Sequence, residues 1–279
     1  MSGPRACVTG YQIAYSRSPM LHGYWLKSLG IDGSYGLADI APPDYPGFLR
    51  NLRQNGYVGC NVTVPHKEAA FRTVEKRDAA ATAIGAVNTI WYEGDALAGS
   101  NSDAYGFLAH LDATVPGWDK NARRAVVLGA GGAARGVVYA LLTRIGDVQV
   151  VNRTLGRARD LAAHFGANVI CHDYKDLPQL LPQADLLVNA TSLGALGNAP
   201  LAIDLHGLKT SAIVYDIVYV PLETELLKAA RAKGHRTVDG LGMLLHQGVP
   251  GFARWFGVTP PVTVELRALI EADIKAKGR

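Results

Sequence analysis

"AVVLGAGGAARGVVYALL", Ala125 to Leu142, reads as a strand, a glycine turn and a helix. Gly129, Gly131 and Ala134 satisfy the spacing G-x-G-x-x-A. In such a turn the first glycine permits the tight bend and the second lets a pyrophosphate approach the backbone. The small third residue allows helix and strand to pack closely. The helix N-terminus then presents unpaired N–H groups and a partial positive charge to phosphate. A bare glycine pattern is weak, but the strand–turn–helix context makes this one specific for a dinucleotide. Gly129, Ala130, Gly131, Gly132 and Ala133 are the candidate phosphate loop.

The end of the next strand selects the cofactor. An NAD-binding unit places Asp or Glu there, to accept from the ribose 2′-hydroxyl. Here the stretch is "VVNRTLGRAR", with Asn152, Arg153, Thr154 and Arg157 and no carboxylate to repel a 2′-phosphate. The planar guanidinium of Arg153 suits phosphate, and Arg157 follows one helical turn later. NADP is therefore expected over NAD. A further strand runs into "LLVNATSLGALG", which puts Asn189, Thr191 and Ser192 at the carboxyl edge where open α/β sheets bind ligands.

Working outward, strand-like runs alternate with helical patterns along the whole chain. "RAVVLG", "VQVVNR", "ANVICH", "ADLLVNAT" and "SAIVYDIVY" surround the glycine turn. Upstream, "RACVTG", "SYGLAD", "YVGCNVTV" and "AVNTIWYE" read as strands. Between these, "SPMLHGYWLKSLG" carries Ser18 as helix N-cap, Pro19 at the first helical position and Gly30 as stop. "PDYPGFLRNLRQNG" and "KEAAFRTVEKRDAAATAIG" also read as helical, and "SDAYGFLAHLDATV" as a connecting helix. The end of the chain, from "GLGM", is helical and is expected to pack back on the first domain. The fold class is thus α/β. An N-terminal domain with a mainly parallel sheet is expected over 1–104 plus 243–279, and a Rossmann-like domain over 105–242.

Composition narrows the function. The 279 residues suffice for two domains, and 48% hydrophobic with 19% charged residues is ordinary for a globular protein. The net charge of +4 comes from dispersed residues, with Arg123–Arg124 the only adjacent pair of arginines. That argues against nucleic acid as a partner. Cys7, Cys60 and Cys171 lack metal-site spacing, which points away from a metal centre and toward a reducing cytoplasm. No apolar run reaches the roughly 18 residues of a membrane span. The stretch "MSGPRACVTG" lacks the apolar core of a signal peptide. The expected partner is a small molecule, without nucleic acid or membrane, for a monomer or homodimer.

In the first domain, polar residues gather at the ends of strand-like runs. "YSRSP" supplies Ser16 and Ser18, "NVTVPHK" supplies Asn61, Thr63 and Lys67, "AIGAVNTI" supplies Asn88, and "GSNSDAYGF" supplies Asn101 and Asp103. Asn61 and Thr63 are two apart and share a strand face. Parallel strands bring their carboxyl ends to one edge, so the clusters can converge. The set is neutral-polar with one Lys and one Asp. It suits carbonyl–alcohol redox chemistry on a polyhydroxylated molecule, because amides and hydroxyls read hydroxyls and a Lys can supply the alcohol proton. His66 beside Lys67 reads as structural.

Nine stretches in order carry a specific resemblance: "YSRSP", "GCNVTVPHK", "AIGAVNTI", "GSNSDAYGF", "VLGAGGAARG", "VNRTLGRA", "LVNATSLG", "VYDIVYVPLET" and "GLGMLLHQG". The chain resembles the shikimate dehydrogenase family over nearly its full length. "NVTVPHK" and "GAVNT" are the most diagnostic, since Rossmann proteins in general lack them. The resemblance implies reversible NADP-dependent reduction of 3-dehydroshikimate to shikimate, in aromatic amino-acid biosynthesis. It implies two α/β domains around a cleft. It also implies that Lys67 and Asp103 form the catalytic pair and that Ser16 and Ser18 hold the substrate carboxylate, with Tyr219 near it. Asn61, Thr63, Asn88 and Gln247 would bind substrate hydroxyls or neighbouring groups. Asn152, Arg153, Thr154 and Arg157 would hold the adenosine phosphate, and Met243 would lie by the nicotinamide. Tyr15, Ser102, Ala104 and Ala195 depart from the family's frequent His, Thr, Gly and Met. These neighbours of functional residues bear on affinity rather than on the reaction. A quinate or aminoshikimate dehydrogenase paralogue is the close alternative. A catalytically silent NADP sensor would predict damage at Lys67 or Asp103, and both are intact.

Overall fold

The computed structural model describes residues 3–278. The chain divides into two units: residues up to Asp103 with Leu245–Ile270, and Ala104–Leu244 with the residues from Glu271. Each unit is built on one six-stranded sheet.

In the first unit the strands are β1 (Arg5–Gly10), β2 (Ser34–Asp39), β3 (Gly59–Val62), β4 (Lys76–Arg77), β5 (Thr89–Glu93) and β6 (Ala96–Ser100). Their spatial order is β2-β1-β3-β5-β6-β4. β1 pairs in parallel with both β2 and β3, whereas β5 runs antiparallel to β3 and to β6. The sheet is therefore mainly parallel with one reversed strand. That reversal matters for the site. Asn88 precedes β5, so it reaches the edge where β1 and β3 end because its strand starts there.

Three local expectations are corrected. The helix at Pro19 begins at Ser18, with Arg17 as cap residue and no side-chain cap bond. The Ser16 hydroxyl instead accepts from the Ser18 N–H at 3.4 Å. The stretch after His66 is not one helix. Lys67–Thr73 and Ala79–Ile84 are separated by β4, and Asp78 caps the second through the Ala81 N–H. β6 has no counterpart in the sequence reading. Its residues, "ALAGS", are small and weak strand formers. Gly94 and Asp95 form the two-residue turn that joins it to β5, with Gly94 at φ 67°.

One face of this sheet buries Cys7, Cys60, Val62, Val87 and Ile90 with Tyr45, Leu49 and Leu52 from the helix Tyr45–Arg50 and the turns after it. The other face meets the helix Gly240–Phe256, whose Trp255 donates its ring N–H to the Ile90 carbonyl at 2.8 Å. Gly59 permits that approach, since a Cβ there would sit 2.1 Å from the Trp255 ring nitrogen. Burial pushes the Cys60 thiol up to about 12 and the Cys7 thiol up as well, so both are inert core residues.

The second unit contains β7 (Arg124–Leu128), β8 (Asp147–Val151), β9 (Val169–His172), β10 (Leu186–Asn189), β11 (Ile213–Asp216) and β12 (Arg236–Val238). All pairings are parallel, in the order β12-β11-β10-β7-β8-β9. Read from the other side, this is the strand order of dinucleotide-binding sheets. The order reverses between β7 and β10, which places the glycine turn after β7 and the loop after β10 side by side. β12, three residues long, has no counterpart in the sequence reading either.

Candidate functional site

In the first unit Lys67 Nζ lies 2.6 Å from Asp103 Oδ2. Lys67 opens the helix Lys67–Thr73 and Asp103 opens the helix Asp103–Thr114. A carboxylate is favoured at a helix N-terminus and a cation is not. The ion pair offsets the unfavourable half of that arrangement. Asp103 is only 12% exposed at its side chain and Lys67 33%, so Asp103 is fixed while Lys67 reaches toward solvent.

Asn88 and Asn101 fix Asp103. Asn88 Nδ2 donates to Asp103 Oδ1 at 2.8 Å, and Asn101 Oδ1 accepts from the Asp103 N–H at 3.0 Å. Asn88 Oδ1 accepts from the Ser102 N–H at 2.8 Å and lies within hydrogen-bond distance of the Ser102 and Thr89 hydroxyls. Asn61 Nδ2 donates to the Asn88 carbonyl at 3.2 Å and to Thr89 Oγ1 at 3.3 Å. The network ends at Tyr35, whose hydroxyl donates to Asn61 Oδ1 at 2.7 Å.

The structure thus joins Lys67, Asp103, Asn88 and Asn61 through one set of hydrogen bonds, whereas Ser18 is half-buried and bonds through its N–H to Ser16. Tyr35, Thr89 and Ser102 belong to the same set, and sequence reasoning did not single out Tyr35 or Thr89. Thr89 had a signal, since it directly follows Asn88. Tyr35 had none beyond being a polar aromatic in a strand. Ser16, Thr63 and Gln247 are half-buried, and no side-chain hydrogen bond commits Thr63 or Gln247 among the described residues. His66 is buried, stacks on Tyr45 with ring centres 4.0 Å apart, and its Nε2 meets the Ile40 carbonyl at 2.8 Å. These contacts give it a packing role.

In the second unit Gly129 adopts φ 107°, and a Cβ there would come within 3.0 Å of the Ala190 carbonyl and 2.9 Å of Thr191 Cγ2. Only glycine fits. Gly131 and Gly132 are exposed and open, with no atom within 4 Å of an added Cβ. The helix Gly132–Leu142 has no side-chain cap, so its first N–H groups face open space beside the turn. Ala130 is half-buried and Ala133 exposed on the same turn. Thr191 donates its hydroxyl to Asn189 Oδ1 at 2.7 Å, which holds the opposing loop. Asn152 Nδ2 closes the turn after β8 onto the Thr154 carbonyl at 2.8 Å. Thr154, Arg153 and Arg157 are exposed, and neither guanidinium makes an ion pair among the described residues. Bare amides in a glycine cradle with two uncommitted guanidinium groups fit a dinucleotide carrying a further phosphate. Tyr219 is half-buried after β11 and Met243 is buried near the start of the helix Gly240–Phe256; both belong to the second unit. Among the described residues, no group of His, Cys, Asp and Glu could hold a metal ion, and no helix is long and apolar enough to cross a membrane.

Residues 8–90 match the shikimate dehydrogenase substrate binding domain, 108–196 the shikimate/quinate 5-dehydrogenase domain, and 240–270 the shikimate 5′-dehydrogenase C-terminal domain. The shikimate dehydrogenase (NADP(+)) of Mesorhizobium japonicum is 57% identical over 274 residues, covering 98% of each chain. The chain belongs to the shikimate dehydrogenase family. Solved family structures share its fold. Shikimate 5-dehydrogenase from Thermus thermophilus, in complex with NADP(H) and shikimate, superposes with a TM-score of 0.83 at 36% identity, covering 98% of this chain and 99% of that one. Quinate dehydrogenase from Corynebacterium glutamicum, in complex with NAD, gives 0.87 at 31% identity, covering 97% and 99%. The most diagnostic family stretch, "NVTVPHK", is the one that places Asn61 and Lys67 in the network above.

Proposed function

We propose that the protein catalyses the reversible NADP-dependent reduction of 3-dehydroshikimate to shikimate. The observation that carries the reading is the Lys67–Asp103 pair, held at 2.6 Å and locked by Asn88 at the polar edge of the first sheet. The first unit is the substrate-binding catalytic domain and the second is the NADP domain.

NADPH, when bound, supplies the hydride for the carbonyl carbon. Lys67 Nζ gives its proton to the carbonyl oxygen as that oxygen becomes an alkoxide, and takes it back in the reverse direction. Asp103 orients the lysine and balances its charge. Asn61, Thr63, Asn88 and Gln247 read the ring hydroxyls, a task for which the uncommitted Thr63 and Gln247 side chains are free. Ser16 and Ser18 hold the substrate carboxylate, with Tyr219 contributing near it. Gly129, Ala130, Gly131, Gly132, Ala133 and Thr191 line the pyrophosphate turn. Asn152, Arg153, Thr154 and Arg157 hold the adenosine phosphate, and Met243 packs by the nicotinamide. The enzyme works in the cytoplasm on a small molecule, as a monomer or homodimer.

A second reading, a quinate dehydrogenase, is supported by the fold shared with the Corynebacterium glutamicum enzyme. The pair of serines in "SRS" favours shikimate, since quinate carries an extra ring hydroxyl that needs room. Initial rates with shikimate and quinate, each with NADP+ and NAD+, decide between them. The expected outcome is a higher kcat/KM for shikimate and for NADP+. In the Arg153→Ala variant the NADP+ preference should fall about tenfold or more, the worth of one charge-assisted phosphate contact. A strong quinate preference, or NAD+ used as well as NADP+, would refute the corresponding half of the reading.

A further inference from the structure

Tyr35 occupies the end of the polar network farthest in bonding sequence from Lys67. The Asn88 carbonyl can only accept, so the Asn61 side chain must turn its Nδ2 toward it. That fixes Asn61 Oδ1 as an acceptor, and the partner 2.7 Å away is the Tyr35 hydroxyl. Tyr35 has one proton, and it goes to Asn61. The proton order is Tyr35 to Asn61, with Asn61 in turn donating to the Asn88 carbonyl.

The Tyr35 ring is held independently of those bonds. The buried His22 ring stacks on it at 3.9 Å with planes 10° apart, and Trp255 lies 5.8 Å away. His22 in turn packs against Trp25 and Phe252. A clamped ring presents its hydroxyl at a set position, and that hydroxyl touches a side chain assigned to the substrate, Asn61.

We propose that Tyr35 is a positioning residue for substrate binding: its hydroxyl fixes the amide orientation of Asn61. The inference rests on the reading of Asn61 as a substrate ligand. Without the Tyr35 proton, Asn61 Oδ1 loses its partner and the amide is free to reorient, so the hydrogen-bond pattern offered to the ring hydroxyls is no longer single.

The test is Tyr35→Phe, which keeps the stacked ring and removes one oxygen, made alone and in an Asn61→Ala background. Steady-state constants are measured with shikimate and NADP+, with urea unfolding alongside. In the wild-type background the shikimate KM should rise about tenfold, the value of one buried hydrogen bond, with kcat and the NADP+ KM little changed. In the Asn61→Ala background the same change should have much less effect on the shikimate KM, because the group it acts through is gone. An unchanged KM, an equal cost in both backgrounds, or a Tyr35→Phe protein that fails to fold would each overturn the inference in favour of a packing role. A wild-type protein that does not turn over shikimate would contradict the functional reading itself, and this inference with it.

Discussion

His22 is 1% exposed and neither ring nitrogen completes a hydrogen bond, although Asn61 lies nearby. Burial lowers its pKa to about 3. The folded protein thus keeps this ring neutral at pH values where an unfolded chain, with a histidine near its ordinary 6.5, takes up a proton. The sign follows from linkage. Stability from this residue is present above about pH 6.5 and is lost as pH falls toward 3, at up to about 1.4 kcal/mol per pH unit. Between about pH 6.5 and 5, urea unfolding of the wild type should lose about 1.5 kcal/mol more than unfolding of His22→Phe. Parallel stability–pH curves for the two proteins would contradict the neutral, unpartnered state. At this scale the sequence was informative where a motif carried the residue. Lys67, Asp103, Asn88 and Asn61 sit in short recognisable stretches, and the structure brings them within hydrogen-bond reach of one another. Tyr35 and His22 sit in no such stretch. Their importance comes from stacking and from contacts between residues distant along the chain, such as Tyr35 with Asn61, which no local pattern encodes.

Among the elements, β10 and β11 are tied at their carboxyl ends by Asp216, which is fully buried. Its Oδ1 accepts from Asn189 Nδ2 at 2.9 Å and from the Val218 N–H at 3.0 Å, and its Oδ2 accepts from Thr224 Oγ1 at 2.7 Å. Burial raises the carboxyl pKa, and these donors work against that rise. Thr224 is also the cap of the helix Glu225–Ala232, so one carboxyl organises two strands, a loop and a helix start. Asp216→Ala leaves these donors without an acceptor and should cost about 3 kcal/mol of stability in urea unfolding. A loss below about 1 kcal/mol would mean that the donors find other partners. Asn189, the neighbour that Asp216 fixes, was legible as a strand-end residue facing a ligand edge. Its actual hydrogen bonds run inward, to Asp216, Leu193 and Thr191. The helical and strand patterns around the glycine turn were readable because β7, β8 and β10 are buried runs rich in Val and Leu. β6 and β12 were not, since short or small-residue segments form strands only when a neighbour supplies the hydrogen bonds.

For the molecule as a whole, the α/β class and the doubly wound second sheet follow from alternation and from the glycine turn, and both are legible in the sequence. The reversal of β5 was not, because direction within a sheet is set by connection geometry and not by the composition of the strand. It nevertheless decides how the first unit assembles its polar edge. β5 begins where β1, β3 and β6 end, so Asn88 joins residues that follow parallel strands. On the proposed function, the first unit would supply the proton-transfer network and the second a glycine cradle whose two nearby guanidinium groups make no ion pair among the described residues. The central claim concerns the first of these: that Lys67, oriented by Asp103, moves the proton. Its most direct test is kcat for oxidation of shikimate by NADP+ with wild type and Lys67→Ala. The account predicts turnover by the wild type, a loss of at least about 100-fold in the variant, and a much smaller change in shikimate KM. An unchanged kcat in Lys67→Ala would contradict it.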